Sequence, residues 1–301
     1  MQDTYLPAKI CHFLAIWDKR CELCSLQQEK GPIMQPENID RIRQSFAAQA
    51  AGFDSTSAGL SSQEWLDAAC RAIAPEPEDT VLEVCAGTCL MGRALAPHVS
   101  KVICLDATPA MLEQGKRLAE DAGLTNIAFR EGLAEELPFK DEAFDIVVTR
   151  LSFHHLQDVQ AVFDEMGRVL APSGKLVVAD MLASPEPLRT MRDAIEHLRD
   201  PSHERLLSAE ELEGLFEHSG YRIVSKMLSR LPHTLSGWMD LTHTPKETKA
   251  HITHLMEDEL QGGAKTGFAP YRNSEGEISF DQQWLLLVGS RSCTRRCTNA
   301  G

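Results

Sequence analysis

A chain of 301 residues with 43% hydrophobic residues and a formal charge of −14 is long enough for one large α/β domain with an added lobe, or for two small domains. That acidic balance, with no basic cluster standing out except "RSCTRRC" near the C-terminus, disfavours nucleic acid as a partner. No apolar run reaches the roughly 18–20 residues of a membrane helix and the N-terminus lacks the cationic-then-apolar order of a secretory signal, so no integral membrane segment and a cytoplasmic location are expected.

Residues 1–33 read as a poorly ordered N-terminal extension that ends where Gly31-Pro32 breaks the chain. Met34 sits at that break, and one expectation is that the natural product starts there. Nine cysteines, an odd number thinly spread, suit a reducing compartment. Cys21-x-x-Cys24 and Cys293-x-x-x-Cys297 offer four thiolates if the chain ends meet, but neither pair has a supporting histidine or turn glycine. Free thiols on loosely ordered ends are the better reading, and no metal is expected.

Pro36-Glu37-Asn38 can open a helix, and the apolar spacing Ile39, Ile42, Phe46 and then Trp65, Ala68, Ala69, Ile73 is helical, split by the Gly/Ser-rich "AGFDSTSAGLSS". Five β-rich runs follow at 80–84, 101–106, 127–132, 144–150 and 175–181, separated by segments able to form crossover helices or turns. This alternation predicts a parallel sheet with helices on both faces, and the apolar run Ile146-Val147-Val148 fits a strand buried on both sides.

Then come a helical stretch at 185–199, the polar "RDPSHERLLS", and a helix opened by the capping box Ser208-x-x-Glu211 and stopped by Gly220. A sixth strand at 221–228 and a last strand at 279–290 complete the sheet, and residues 291–301 are a tail. Between those strands, 231–278 is helical in its first half and glycine-rich in its second. Ligands in open α/β sheets bind outside the carboxyl ends of the strands, so this insertion is expected to form a lid there. Trp238 and Phe268 would give it an apolar wall, or would be plain core.

The stretch "VLEVCAGTCLMG", 81–92, carries the chemistry. A strand, a glycine-containing turn and a helix set backbone N–H groups beside a ligand. A dinucleotide site needs three glycines in G-x-G-x-x-G so that a pyrophosphate can lie against the helix start. The aligned run here, Cys85-Ala86-Gly87-Thr88-Cys89-Leu90, keeps only Gly87, which weakens a nicotinamide-dependent oxidoreductase. Glu83 within the strand end, Gly87 in the turn and Asp106 closing the second strand fit a ribose better, since a carboxylate can accept from both hydroxyls.

With those residues in place, the chain resembles the class I S-adenosylmethionine-dependent methyltransferases, and within them the group related to ubiquinone/menaquinone C-methyltransferases. The resemblance runs through "VLEVCAGTC", "VICLDATPAMLEQGKRLAEDAGL", "EGLAEELPFKDEAFDIVVTRLSFHHLQD" with its continuation to "EMGRVLAPSGKLVVADM", and "IEHLRDPSHERLLSAEEL", about 130 residues. It implies a Rossmann-like, seven-stranded, mostly parallel sheet with the last strand reversed, and residues 34–290 as the methyltransferase domain. It further implies transfer of a methyl group from S-adenosyl-L-methionine to carbon or oxygen of a small-molecule acceptor. A non-catalytic S-adenosylmethionine-binding regulatory protein is the alternative of another class.

Residue by residue, the resemblance makes Glu83, Cys85, Ala86 and Gly87 the pocket of the cofactor's methionine half. It gives Asp106 the ribose hydroxyls, sets Ala107 and Met111 about the adenine, places Leu133 and Ala134 along the adenine edge, and puts Thr149 and Arg150 beside the methyl group. Relatives usually carry glycine at 85 and 89 and often aspartate at 133. Cys85 and Cys89 are expected to keep ordinary backbone conformations with side chains turned from the cofactor, leaving Gly87 as the position that rejects a Cβ.

Asp106 has a competing reading as a cap of the helix after it. His154 and His155, just past the fourth strand, are the candidate catalytic bases, because a neutral imidazole can take a proton from a phenol or an activated carbon acid. The competing reading packs one in the core and uses the other to shape the loop. Arg199 and Asp200 read as an ion pair tying down a loop in preference to a substrate contact, and His251 and His254, one helical turn apart, as a solvated helix face in preference to half of a metal site, since no paired carboxylate or cysteine completes one.

Overall fold

The computed structural model describes residues 36–54 and 62–291. The extension 1–33, Met34, the cysteines at 21, 24, 293 and 297 and the tail after 291 lie outside the described residues.

Five parallel strands form the first part of the sheet: β1 (Thr80–Val84), β2 (Lys101–Asp106), β3 (Ile127–Glu131), β4 (Phe144–Arg150) and β5 (Leu170–Met181). β6 (Tyr221–Thr234) and β8 (Ile278–Arg291) complete it, and the two-residue β7 (Tyr271–Arg272) pairs only with β8. The order is β3-β2-β1-β4-β5-β8-β6, with β8 antiparallel to both neighbours. The mostly parallel sheet with a reversed last strand is thus as expected.

Alternation along the strands divides the core into two layers. Leu82, Val84 and Val147 face α5 (Val159–Val169), which contributes Val162, Phe163 and Met166, and α7 (Ala209–His218), which contributes Leu212 and Phe216. Val81, Ile146 and Val148 face α2 (Gln63–Ile73) and α3 (Leu90–Leu95), which bring Trp65, Leu66, Ile73, Met91 and Leu95. Ser62 caps α2 through Trp65 N–H, Asp158 caps α5 through Ala161 N–H, and Ser208 with Glu211 forms the expected capping box. α4 (Pro109–Asp121) follows β2, and α1 (Pro36–Gln49) precedes the sheet.

The insertion corrects the expectation in two ways. β6 continues through Pro232 to Thr234, so the insertion begins at Leu235 with α8 (Leu235–Leu241) and α9 (Lys246–Leu260). A proline fits there because β6 is the edge of the sheet. Trp238 and Phe268 are buried with Ile195 of α6 (Arg189–Arg199), Ile252, Met256 and Phe280 in a core of their own, so they are core and not a wall over the strand ends. No described helix is long and apolar enough to cross a membrane.

Candidate functional site

The turn after β1 is held from below by two carboxylates. Glu83 Oε2 accepts the Gly92 N–H at 2.6 Å in the first turn of α3. Burial raises its carboxyl to about 7, against the pull of the Gly92 amide, Arg150 and Arg93. Asp106 accepts Gly87 N–H through Oδ2 and Thr108 N–H through Oδ1, each at 2.7 Å. Burial raises Asp106 too, opposed by those same amides. Each of its oxygens keeps a lone pair for a ligand.

The loop backbone departs from expectation. Cys85, Gly87 and Cys89 are all left-handed, with φ of 53°, 54° and 60°. Positions 85 and 89 therefore make a conformational demand that glycine would meet freely and that cysteine meets here at a cost of roughly 1–2 kcal/mol each. Cys89 is joined to Cys104 of β2 in a disulfide, Cα to Cα 5.9 Å, which ties the loop to the neighbouring strand and which the scattered cysteine set did not suggest. Cys85 is a free thiol pushed well above its usual pKa by burial and by Asp106 and Glu135, so it is not a nucleophile at neutral pH.

A cleft with about 790 Å³ of empty space, part of it open to solvent, lies over the carboxyl ends of β1, β2 and β4. Of the residues singled out from the sequence, Glu83, Cys85, Ala86, Gly87, Asp106, Ala107, Met111, Leu133, Ala134, Arg150 and His155 line it. Thr149 and His154 do not. Thr149 Oγ1 donates to the Val84 carbonyl at 2.8 Å and pairs with Ser152 Oγ, a buried cross-strand link. Arg150 is buried between the Trp65 and Trp284 rings, 5.9 and 5.6 Å from their centroids. Leu133 is 37% exposed.

The cleft's cover comes from α1 and the turn after it, not from the insertion, none of whose residues lines it. Ile39, Ile42, Phe46 and Phe53 make an apolar wall. Arg43 fixes α1 on one side, its Nε donating to the Ala107 carbonyl at 2.9 Å and its Nη2 to Glu131 at 3.2 Å. On the other side Ser45 Oγ donates to Asp200 Oδ1 at 3.0 Å and Gln49 Nε2 reaches Oδ2 at 3.5 Å. The Ile39-Ile42-Phe46 spacing announced a buried face, but its target was visible only in the fold.

The two histidines separate by environment. His154 Nδ1 pairs with Asp180 Oδ1 at 2.6 Å at the end of β5. Burial works to raise Asp180, but His154 and the Phe153 and Met181 amides outweigh it and hold the carboxyl below its usual value. His155 reaches the Ser202 carbonyl at 3.0 Å with Nδ1 and stacks edge-on against Phe46, ring centroids 4.9 Å apart. Burial, with His154 beside it, lowers His155 to about 3, against the pull of Asp200, so the ring is neutral at physiological pH. Sequence reasoning left this pair undivided.

Arg199 and Asp200 are not the expected ion pair. Arg199 stacks on the Trp238 ring at 4.5 Å and lies 3.7 Å from Glu196, whereas Asp200 turns to Ser45, Gln49 and Ser202. His251 and His254 are exposed on α9, as a solvated face requires.

The cleft fits a nucleoside carrying a charged amino-acid tail. Glu135, one of its lining residues, has Oε2 buried with no hydrogen-bond partner among the described residues, an acceptor that a ligand N–H or O–H would satisfy. Asp106 stands at the end of β2 with acceptor capacity to spare, and apolar Ala107, Met111 and Leu133 flank it, as a ribose and a flat base require.

Residues 82–178 match the family described as methyltransferase domain. An uncharacterized methyltransferase of Bacillus subtilis, YcgJ, is 34% identical over 227 residues, spanning 74% of this chain and 86% of that protein. Its crystal structure superposes with a TM-score of 0.66 at 31% identity, over 76% of this chain and 99% of that one. A demethylmenaquinone methyltransferase of Clavibacter sepedonicus is 30% identical over 200 residues, 64% of this chain and 78% of that protein.

Proposed function

The chain belongs to the S-adenosylmethionine-dependent methyltransferases, with S-adenosylmethionine as its cofactor, and we propose that it methylates carbon or hydroxyl oxygen of a small aromatic or quinone-like acceptor, using His155 as base. The observation that carries this reading is the position of His155, buried on a cleft that Ile39, Ile42, Phe46 and Phe53 also line. Such a wall takes a flat apolar molecule, and the base serves an acceptor that must lose a proton. Relatives named demethylmenaquinone methyltransferase point the same way.

When bound, the cofactor supplies an electrophilic methyl carbon on a sulfonium sulfur. In this reading Asp106 accepts from the ribose hydroxyls, the Gly87 turn and Arg150 hold the methionine half, and Ala107, Met111, Leu133 and Ala134 enclose the adenine. Thr149 supports the wall through Val84 and Ser152 without touching the ligand. α1 excludes water and presses the acceptor toward the loop, which matters because in-line transfer depends mainly on proximity and alignment. His155 receives the acceptor's proton at Nε2.

Incubation with methyl-labelled S-adenosylmethionine and a fractionated cell extract tests the reading. Label is expected in an apolar small molecule, and the His155→Gln variant is expected to lose about 10²–10⁴-fold of the rate. Label transferred at the full rate by that variant removes His155 from the chemistry.

A further inference from the structure

Ser202 has one hydroxyl proton, and its Oγ lies 2.6 Å from Asp200 Oδ1. Asp200 is held well below the usual carboxylate range: burial would raise it, but His155, Arg199 and Ser202 outweigh that. An ionised carboxylate only accepts, so the Ser202 proton is committed to it. Toward His155 Nδ1, 3.1 Å away, Ser202 Oγ then offers lone pairs alone, and the Ser202 carbonyl at 3.0 Å is also only an acceptor. Two acceptors facing Nδ1 place the imidazole proton there and leave Nε2 with its lone pair for the cleft.

The same carboxylate is the latch of α1. Ser45 and Gln49, four residues apart on one face of α1, both donate to it, and the Ser202 N–H donates to Oδ1 at 2.9 Å. The residues of α1 that wall the cleft, Ile39, Ile42 and Phe46, therefore move with the donors that fix Asp200. Lifting α1 would remove two of those donors.

We propose that Asp200 is a positioning residue that couples the seating of α1 over the cleft to the tautomer of His155. With α1 seated, Asp200 holds the Ser202 proton and His155 presents an unprotonated Nε2. With α1 lifted, the carboxylate rehydrates and swings, Ser202 Oγ is released to donate to Nδ1 in competition with the Ser202 carbonyl, and a fraction of the rings move their proton to Nε2, where it blocks proton acceptance. The base is thus fully competent only when the cleft is closed against water. This inference rests on the reading of His155 as the base.

The test reads the tautomer directly, by two-bond ¹H–¹⁵N NMR of the full chain labelled with ¹⁵N-histidine and saturated with S-adenosylhomocysteine, His155 being assigned from the His155→Gln spectrum. The native chain is expected to show His155 protonated at Nδ1. Asp200→Ala is expected to move the proton to Nε2 in a detectable fraction and to speed hydrogen exchange of α1 amides about ten-fold. Ser45→Ala/Gln49→Ala, which leaves Asp200 in place and serves if Asp200→Ala does not fold, is expected to do the same. An unchanged tautomer in either folded variant overturns the coupling. Neither readout needs an acceptor, so loss of the base reading through an active His155→Gln enzyme is a separate result.

Discussion

His154 Nδ1 lies 2.6 Å from Asp180 Oδ1, with the two side chains 5% and 3% exposed, so adjacent histidines at the end of one strand have unlike tasks. His154 completes a buried pair beneath the site, while His155 faces the cleft. Removing His154 takes from Asp180 its side-chain partner and leaves it only the Phe153 and Met181 amides. His154→Gln is therefore expected to lower stability by about 3–5 kcal/mol, and His155→Gln by about 1 kcal/mol. Urea unfolding of both variants checks this, and equal losses would show that the two environments are not distinct.

Glu83 makes stability depend on pH in an unusual sense. Its carboxyl is raised to about 7 in the folded chain, so between the ordinary value of 4.5 and 7 the folded state holds a proton that the unfolded state has released. Stability contributed by Glu83 is thus present at low pH and lost as pH rises through that window. His155 works in the opposite direction, its contribution being lost as pH falls from the usual 6.5 toward about 3. Comparing native protein with Glu83→Gln cancels the histidine. The variant is expected to gain on the native chain from pH 4.5 to 7 and to hold a constant difference above it; parallel curves across the window would contradict the raised carboxyl.

The left-handed turn predicts an order among substitutions. Cys85→Gly relieves strain but loses packing and gains unfolded-state entropy, so stability is expected within about 1 kcal/mol of native. Cys85→Val puts a β-branched residue at φ 53° and is expected to lose more than about 2 kcal/mol. A Cβ on Gly87 would meet Met111 Cε at 3.7 Å and Phe53 Cε1 at 3.9 Å, ordinary contacts, so the expected loss of roughly 1–2 kcal/mol in Gly87→Ala comes from the backbone. Denaturant midpoints rank the three.

Asp106→Ala is expected to weaken S-adenosylhomocysteine binding more than about ten-fold, since the ribose hydroxyls lose their acceptor and the Gly87 amide loses its own. Asp106→Asn, which keeps one acceptor oxygen, is expected to lose less. Unchanged affinity in calorimetry rejects the ribose assignment.

Much of this was legible in the chain because its signals are local. Runs such as Ile146-Val147-Val148 are apolar throughout since one core layer takes Val147 and the other takes Ile146 and Val148, and Ser208 and Glu211 cap their helix within one turn. What was not legible depends on distant partners. The two histidines look alike until Asp180, 26 residues on, claims one of them. Trp238 and Phe268 read equally as wall or core, and only the packing of Phe280 and Ile195 against them decides. The stripe Ile39-Ile42-Phe46 predicts a buried face without saying what it covers, and Asp200 with Arg199 suggested an ion pair because its true donors, Ser45 and Gln49, lie about 150 residues earlier. The cysteines at 85 and 89 misled most: their small size suggested ordinary backbone, whereas the turn demands left-handed residues whatever occupies it.

The decisive measurement follows labelled methyl from S-adenosylmethionine into each chemical fraction of a cell extract. Label is expected in one organic-soluble small molecule, dependent on the enzyme and reduced at least about a hundred-fold by His155→Gln. Label found in protein or nucleic acid, or only in a water-soluble charged metabolite, would contradict the proposed function.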